Sequence, residues 1–183
     1  MRAAPPILFE TIDRAVDLCR RTLDFARAKG PKLRPSVFSL HDFIAECFGT
    51  LEMESEEKMV WKNTVPEDFT VHADHGQLFR VFTNLGRNAA EAGARNVVVS
   101  AQEVAGACHI MLADNGPGLP ERAQESLYQP FKGSVRAGGT GLGLAIVREI
   151  MRAHGGDVEL KESGDEGTVF CLVFPPQPDA EAA

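Results

Sequence analysis

The chain has 183 residues, of which 44% are hydrophobic, and carries a net charge of −7, enough length for one sizeable core with a small appendage. The acidic balance and the lack of a basic cluster exclude a nucleic-acid binder, whose partner demands a positive face. No apolar run approaches the ~20 residues of a membrane span, so the stretch is expected to be soluble and cytoplasmic, with any anchor of a longer protein lying outside it.

From the N-terminus, Ile7 to Ala28 is predicted to be an amphipathic helix. Ile12, Val16, Cys19, Leu23 and Ala26 recur at steps of four and three as a short heptad seam. Glu10–Arg14, Asp17–Arg21 and Arg20–Asp24 pair at i,i+4 on the opposite side. Two heptads bury too little to be stable alone in water, so this helix needs a partner, either its own domain or, slightly favoured, a second helix in a dimer. Gly30, Pro31 and Pro35 mark a linker. A short strand over Val37–Ser39 and a helix over Leu40–Met53 follow, with Phe43, Ile44, Cys47, Phe48 and Leu51 inward. Strands are predicted over Val60–Val65 and Phe69–Ala73, around a turn at Pro66-Glu67-Asp68. Asp74 suits an N-cap, with Gln77 placed as in a capping box. The next helix carries Leu78, Val81, Phe82, Leu85, Ala89 and Ala92 on one stripe and stops at Gly93. Val97–Val104 and Cys108–Ala113 form a hairpin around Gly106. After a glycine-rich loop comes a helix over Gly143–Ala153, and then strands over Asp157–Lys161 and Thr168–Phe174. This order predicts an α+β sandwich with helices covering one face of a mixed sheet. Cys19, Cys47, Cys108 and Cys171 lack zinc-ligand spacing and are expected to be buried thiols of a reducing compartment.

Three clusters carry chemistry. Asn84 and Asn88 lie one turn apart, on the face opposite the apolar stripe. Asp114-Asn115-Gly116-Pro117-Gly118 follows an apolar strand directly, so a carboxylate can point into a pocket while glycines let backbone approach a ligand. Gly138-Gly139-Thr140-Gly141-Leu142-Gly143-Leu144 enters an apolar helix. There, small residues leave N–H groups and the positive dipole end free for phosphate oxygens. Neither a P-loop lysine nor a strand-led dinucleotide fingerprint is present.

In this order and at these separations the clusters resemble the nucleotide-binding boxes of histidine kinases. Asn84-Leu-Gly-Arg-Asn88-Ala resembles the N box, Asp114-Asn-Gly-Pro-Gly118 the G1 box, and Pro130-Phe131 the F box. Gly139-Thr-Gly-Leu-Gly143-Leu resembles the G2 box, the most specific of these matches, and Gly167-Thr168 the last glycine box. The resemblance runs from about Pro35 to Pro175. It implies the Bergerat fold that histidine kinases share with gyrase-type ATPases and Hsp90.

By position, the resemblance implies that Asn88 ligates Mg²⁺ and that Asp114 accepts the adenine amino proton. Gly116 and Gly118 would line the base pocket with Thr168 beside them, and Gly139, Thr140, Gly141, Leu142 and Gly143 would cradle the phosphates of ATP. Leu119 to Gly138 would be a mobile lid with Phe131 as its apolar latch, and Lys132 and Arg136 would meet the γ-phosphate. Gyrase-like relatives have a glutamate at the position of Asn84. An amide there is no general base, which favours phosphoryl transfer to an external nucleophile over water activation. Glu91 departs from the lysine or arginine of many kinases, as in nitrogen-regulator-like subfamilies.

The acceptor histidine is expected on a separate hairpin, belonging either to the full-length chain or to another chain. No histidine precedes His41, and His41-Asp42 lacks the family's flanking residues. His72, His75, His109 and His154 are read as structural, His154 as a cation suited to a helix C-terminus. The expected organisation is a helix like the second of that hairpin plus linker (1–34), an ATP-binding catalytic domain (35–176) and a disordered tail (177–183). A response regulator is the implied downstream partner. The competing functions are a non-catalytic pseudokinase or phosphotransfer module, and a serine kinase that antagonises a sigma factor.

Overall fold

The computed structural model describes residues 15, 16, 18, 19, 22, 23, 25, 26, 28, 32–54, 59–132 and 141–176. In chain order the elements are β1 (Ser36–Ser39), α1 (Leu40–Glu54), β2 (Val60–Asn63), β3 (Thr70–Ala73), α2 (His75–Glu91), β4 (Asn96–Val104), β5 (Ala107–Asp114), α3 (Glu121–Glu125), α4 (Gly143–Ala153), β6 (Asp157–Gly164) and β7 (Gly167–Phe174). Five strands form one sheet in the order β2-β4-β5-β7-β6, in which β2 runs parallel to β4 and the other neighbours are antiparallel. The mixed sheet of the sequence reading is therefore present. The sequence pattern does not reveal that β1 pairs only with β3, as a separate two-stranded antiparallel sheet.

Alternation decides which face of the sheet is covered. Val97, Val99, Ile110, Leu112, Phe170 and Leu172 point to one side. There they share a single buried cluster with Leu78, Val81, Phe82, Leu85 and Ala89 of α2 and with Ile146, Ile150 and Met151 of α4. On the other side Val98, Met111, Ala113, Val169 and Val173 remain half-exposed, so helices cover one face only. Each large side chain buried in this core contributes roughly 1.5–3 kcal/mol. Helix α1 closes the cluster through Phe43, whose ring meets that of Phe82 edge-on at 5.6 Å. At Gly86 the approach is so close that a Cβ would lie 2.5 Å from Leu51 Cδ1 and 3.2 Å from Trp61. Glycine at this point of α2 therefore serves packing against α1 and β2.

Local expectations hold with instructive differences. Asp74 caps α2, its Oδ1 accepting the Gln77 N–H at 3.0 Å. The reciprocal half of a capping box is absent, because Gln77 Oε1 accepts from Arg80 Nη1 and the Asp74 N–H goes instead to His154 Nε2. His154 is accordingly held between two backbone groups and not by the helix end alone: its Nε2 accepts from the Asp74 N–H and its Nδ1 donates to the Ile150 carbonyl at 2.8 Å. The β4–β5 hairpin turns at Ala105-Gly106, both with positive φ (52° and 80°), as a two-residue turn of the right hand requires. Strand β2 stops at Asn63 rather than Val65, since Asn63 Oδ1 takes the Val65 N–H and bends the chain toward Pro66. Strands β5, β6 and β7 all run further than their hydrophobic runs suggest, which brings Asp114 and Thr168 into register within the ladder. Helix α3 has no periodic signal in the sequence.

The described residues between 15 and 28 have helical backbone. Phe25 and Ala28 pack on the core, whereas the predicted seam does not: Val16 and Leu23 are 46% and 58% exposed. Cys19 is likewise exposed, which corrects its assignment as a buried thiol, because it sits on the seam and not on the face that meets the domain. Cys47 and Cys171 are buried and Cys108 is half-buried; burial pushes the Cys108 thiol up to about 12. Ile12 and the tail 177–183 lie outside the described residues. Among the described residues, no helix is long and apolar enough to cross a membrane.

Candidate functional site

Helices α2 and α4 pack against each other, and the start of α4 lies on the asparagine face of α2. A Cβ on Gly143 would sit 3.3 Å from Asn88 Oδ1 and 3.4 Å from Asn84 Oδ1. The flank of α2 that carries the asparagines is therefore a wall and not solvated surface, and both asparagines are half-buried. Asn84 Nδ2 donates to the Arg80 carbonyl at 2.7 Å, which commits its N–H₂ group backward along the helix. Among the described residues no side chain caps α4 at Leu142, and the first helical bond runs from the Ile146 N–H to the Leu142 carbonyl. The N–H groups of 143–145 thus have no partner within the helix. Donors and positive dipole end, beside two amide oxygens, are chemistry suited to phosphate and a hard cation.

The second half of the site is built at the ends of β5 and β7. Asp114 is the last residue of β5 and pairs with Thr168. Burial raises the Asp114 carboxyl above the usual range, although the Gly116 and Thr168 N–H groups oppose the shift; the Gly116 N–H reaches Oδ1 at 2.8 Å. Thr168 is itself buried. Two glycines here are obligatory. A Cβ on Gly167 (φ 131°) would overlap the Asp114 carbonyl oxygen, and one on Gly118 (φ 73°) would meet the Gly164 carbonyl oxygen at 2.5 Å. The loop is clamped by Asn115, whose Oδ1 accepts the N–H groups of both Arg95 and Asn96 at 2.8 Å.

One helical turn joins the two halves. The Ala92 N–H bonds the Asn88 carbonyl at 2.9 Å, and Ala92 Cβ and Ala94 Cβ lie 3.5 and 3.6 Å from where a Cβ on Gly116 would stand. Asn84, Asn88, Leu142 and Gly143 are thus brought together, as are Asp114, Gly116, Gly118 and Thr168, with the end of α2 between the groups. Ala92 and Asn115, named in the sequence only as stripe and loop residues, belong to this framework, as do Ala94 and Ser163, which carry no sequence signal because alanine and serine are ordinary in such loops.

The segment expected as a lid from Leu119 is held down over its first part. Its Leu119 N–H donates to Ser163 Oγ at 2.7 Å, Leu127 is buried, and the Arg148 guanidinium lies over the Tyr128 ring at 4.6 Å. Phe131 does not latch onto apolar neighbours. It is 59% exposed with φ 65°, and its N–H bonds the Gly141 carbonyl at 3.3 Å, tying the segment to the glycine loop by backbone. Lys132 is exposed. Arg136, Gly139 and Thr140 lie outside the described residues.

Residues 73–178 match the family described as histidine kinase-, DNA gyrase B-, and HSP90-like ATPase, which is more than half of the chain. The nitrogen regulation protein NtrY of Azorhizobium caulinodans is 33% identical over 165 residues, covering 84% of this chain and 21% of that protein. The sensor-like histidine kinase SenX3 of Mycolicibacterium smegmatis is 27% identical, over 92% of this chain and 47% of its own length. The chain thus spans between about a fifth and a half of these relatives. Among solved structures, the catalytic domain of histidine kinase ThkA superposes with a TM-score of 0.69 at 27% identity, covering 79% of this chain and 97% of that one. Full-length ShkA, solved in complex with AMPPNP, superposes at 0.76 with 26% identity, covering 91% of this chain and 36% of that one.

Proposed function

We propose, from the premise that this chain belongs to the histidine kinase-, DNA gyrase B- and HSP90-like ATPases and carries the ATP-binding catalytic domain of a sensor histidine kinase, that it binds Mg·ATP and transfers the γ-phosphoryl group to a histidine on a separate helical hairpin. The observation that supports this most is the meeting of Asn84, Asn88 and the uncapped start of α4 at Gly143, one helical turn from the Asp114 pocket.

In this reading Asp114 accepts the adenine amino proton, an interaction guanine cannot satisfy, with Gly116, Gly118 and Thr168 around the base. The N–H groups that open α4, with Gly139, Thr140, Gly141, Leu142 and Gly143, hold the phosphates. Asn88 Oδ1 fits as a ligand for magnesium, since an oxygen donor stands free of a Cβ where α4 begins. When bound, the ion neutralises phosphate charge. Lys132 and Arg136 supply further positive charge to the γ-phosphate, and Phe131 closes over the nucleotide. Asn84, whose N–H₂ group is held by the Arg80 carbonyl, presents an amide oxygen and has no basic group to deprotonate water. The nucleophile is therefore an imidazole nitrogen of the incoming histidine. A bond forms from that nitrogen to the γ-phosphorus as the bond to the β,γ-bridging oxygen breaks, and ADP leaves.

The exposed seam at Val16 and Leu23 favours a homodimer through the helix expected within the segment 1–34, with 35–176 as the catalytic unit. A response regulator would take the phosphoryl group from the histidine. The domain would work in the cytoplasm, where ATP is available, whether or not the longer protein is membrane-anchored. Incubation with labelled ATP and a separate histidine-bearing hairpin should give an acid-labile phosphoprotein. An acid-stable product would assign a serine kinase, and Mg·ATP binding without transfer would assign a non-catalytic signalling module.

A further inference from the structure

The phosphate end of α4 is one end of a helix pair whose other end is joined by side-chain hydrogen bonding. Helices α2 and α4 run antiparallel, so the N-terminus of α2 at Asp74 meets the C-terminus of α4 at His154, while Asn84 and Asn88 meet Gly143. Side-chain hydrogen bonding joins the helices at the first end. The Asp74 N–H donates to His154 Nε2 at 3.0 Å, and His154 Nδ1 donates to the Ile150 carbonyl at 2.8 Å. The imidazole is further held edge-on against Phe174, with ring centroids 5.7 Å apart. The Asp74 carboxylate in turn accepts the Gln77 N–H at 3.0 Å and the Arg34 N–H at 2.8 Å, the latter from the segment that leads into β1. One residue pair thus joins the cap of α2, the last turn of α4 and the chain entering the domain.

We propose that His154 is a positioning residue: its clasp on the Asp74 backbone sets how far α4 slides along α2, and so fixes the distance between the phosphate-binding N–H groups of 143–145 and Asn88. Apolar packing alone tolerates small displacements, since ridges slide in grooves at little cost. A hydrogen bond does not, because its strength falls steeply with distance and angle. Asp114 lies on β5 at the far side of the site and takes no part in the clasp, so adenine binding is independent of it. This inference rests on the placement of phosphate at α4 proposed above.

Two substitutions isolate the clasp. In His154→Gln the longer amide can still present an acceptor where Nε2 stands. His154→Asn reaches only as far as Nδ1, keeping the donor to Ile150 and losing the acceptor for Asp74. Calorimetric titration of Mg·ATP and of adenosine should give about tenfold weaker ATP binding for His154→Asn, an order of magnitude equal to about 1.4 kcal/mol. Adenosine affinity should hold within about twofold, and His154→Gln should match the unsubstituted protein. In the nucleotide-free proteins, amide exchange of 143–146 should be faster in His154→Asn than in His154→Gln. Equal ATP affinity in the two variants, or equal loss of ATP and adenosine in His154→Asn, overturns the proposal. A failure of the unsubstituted protein to bind ATP would instead sink the functional reading, while the exchange comparison would still decide whether the clasp positions α4.

Discussion

Asp114→Asn is the sharpest test of the base pocket, because the structure dictates how the new amide must face. The carboxylate now accepts from the Gly116 N–H at 2.8 Å and from the Thr168 N–H. With only one oxygen left, the asparagine must turn it toward these backbone donors. Its N–H₂ group then points into the pocket, where the adenine amino group also donates. Binding loses a hydrogen bond to a charged acceptor, about 1.5–3 kcal/mol, and leaves desolvated donors facing each other, a further 1–3 kcal/mol or so. A total near 2.5–6 kcal/mol weakens ATP by roughly fifty-fold to ten-thousand-fold or more. Calorimetric titration would measure this directly, with a thermal melt as control. Burial raises the Asp114 carboxyl, so the folded state binds more protons than the unfolded one between the ordinary and the raised values. Stability is therefore lost as pH rises through that window, and an amide that cannot ionise should melt no earlier than the unsubstituted protein at neutral pH. ATP affinity of the unsubstituted protein should fall as pH drops through the raised value, since the protonated carboxyl is a poorer acceptor. An Asp114→Asn protein that binds ATP within threefold of the original would refute the adenine role, and one that loses binding only because it unfolds would refute the argument about amide orientation.

Asn88→Ala should remove the magnesium dependence of ATP binding and abolish phosphoryl transfer while leaving adenosine affinity intact; full transfer activity in this variant would place the metal elsewhere. Gly167→Ala puts a Cβ into the Asp114 carbonyl at a φ of 131°, and chemical denaturation should show a loss of about 3 kcal/mol or more; a loss below 1 kcal/mol would mean that the β5–β7 junction yields freely. A thiol reagent under native conditions should modify exposed Cys19 first and buried Cys47 and Cys171 only on unfolding, and rapid labelling of Cys47 would contradict the packing of α1.

Much of this protein was legible residue by residue. The stripe Leu78–Val81–Phe82–Leu85–Ala89 identified α2 and its buried face, and Asp74 marked its start. Gly143–Ala153 was read to its observed ends because a glycine loop leads into it and His154-Gly155-Gly156 leaves it. Asp114 and the asparagine pair stood out because carboxylate, amides and glycines recur at spacings that local geometry alone makes meaningful. What was misread is equally local in cause. Cys19 was taken for a core residue because periodicity tells which residues share a face, but not which face finds a partner. The partner of His154 was not legible because the Asp74 N–H lies 80 residues away in sequence. The tie from the Phe131 N–H to the Gly141 carbonyl was not legible, because a backbone bond leaves no side-chain signal.

Sequence alone specified most of the elements, their order, and the candidate residues for a nucleotide, because caps, glycines and apolar periods act over one or two turns of chain. Only the tertiary structure decided that β1 and β3 leave the main sheet, that Asn84 and Asn88 face the start of α4, and that Asp114 and Thr168 share one ladder register. Each of these is a meeting of segments far apart in the chain, selected by how side chains fill one core. The chemistry of the site was written in short motifs, whereas their distances from one another came from packing.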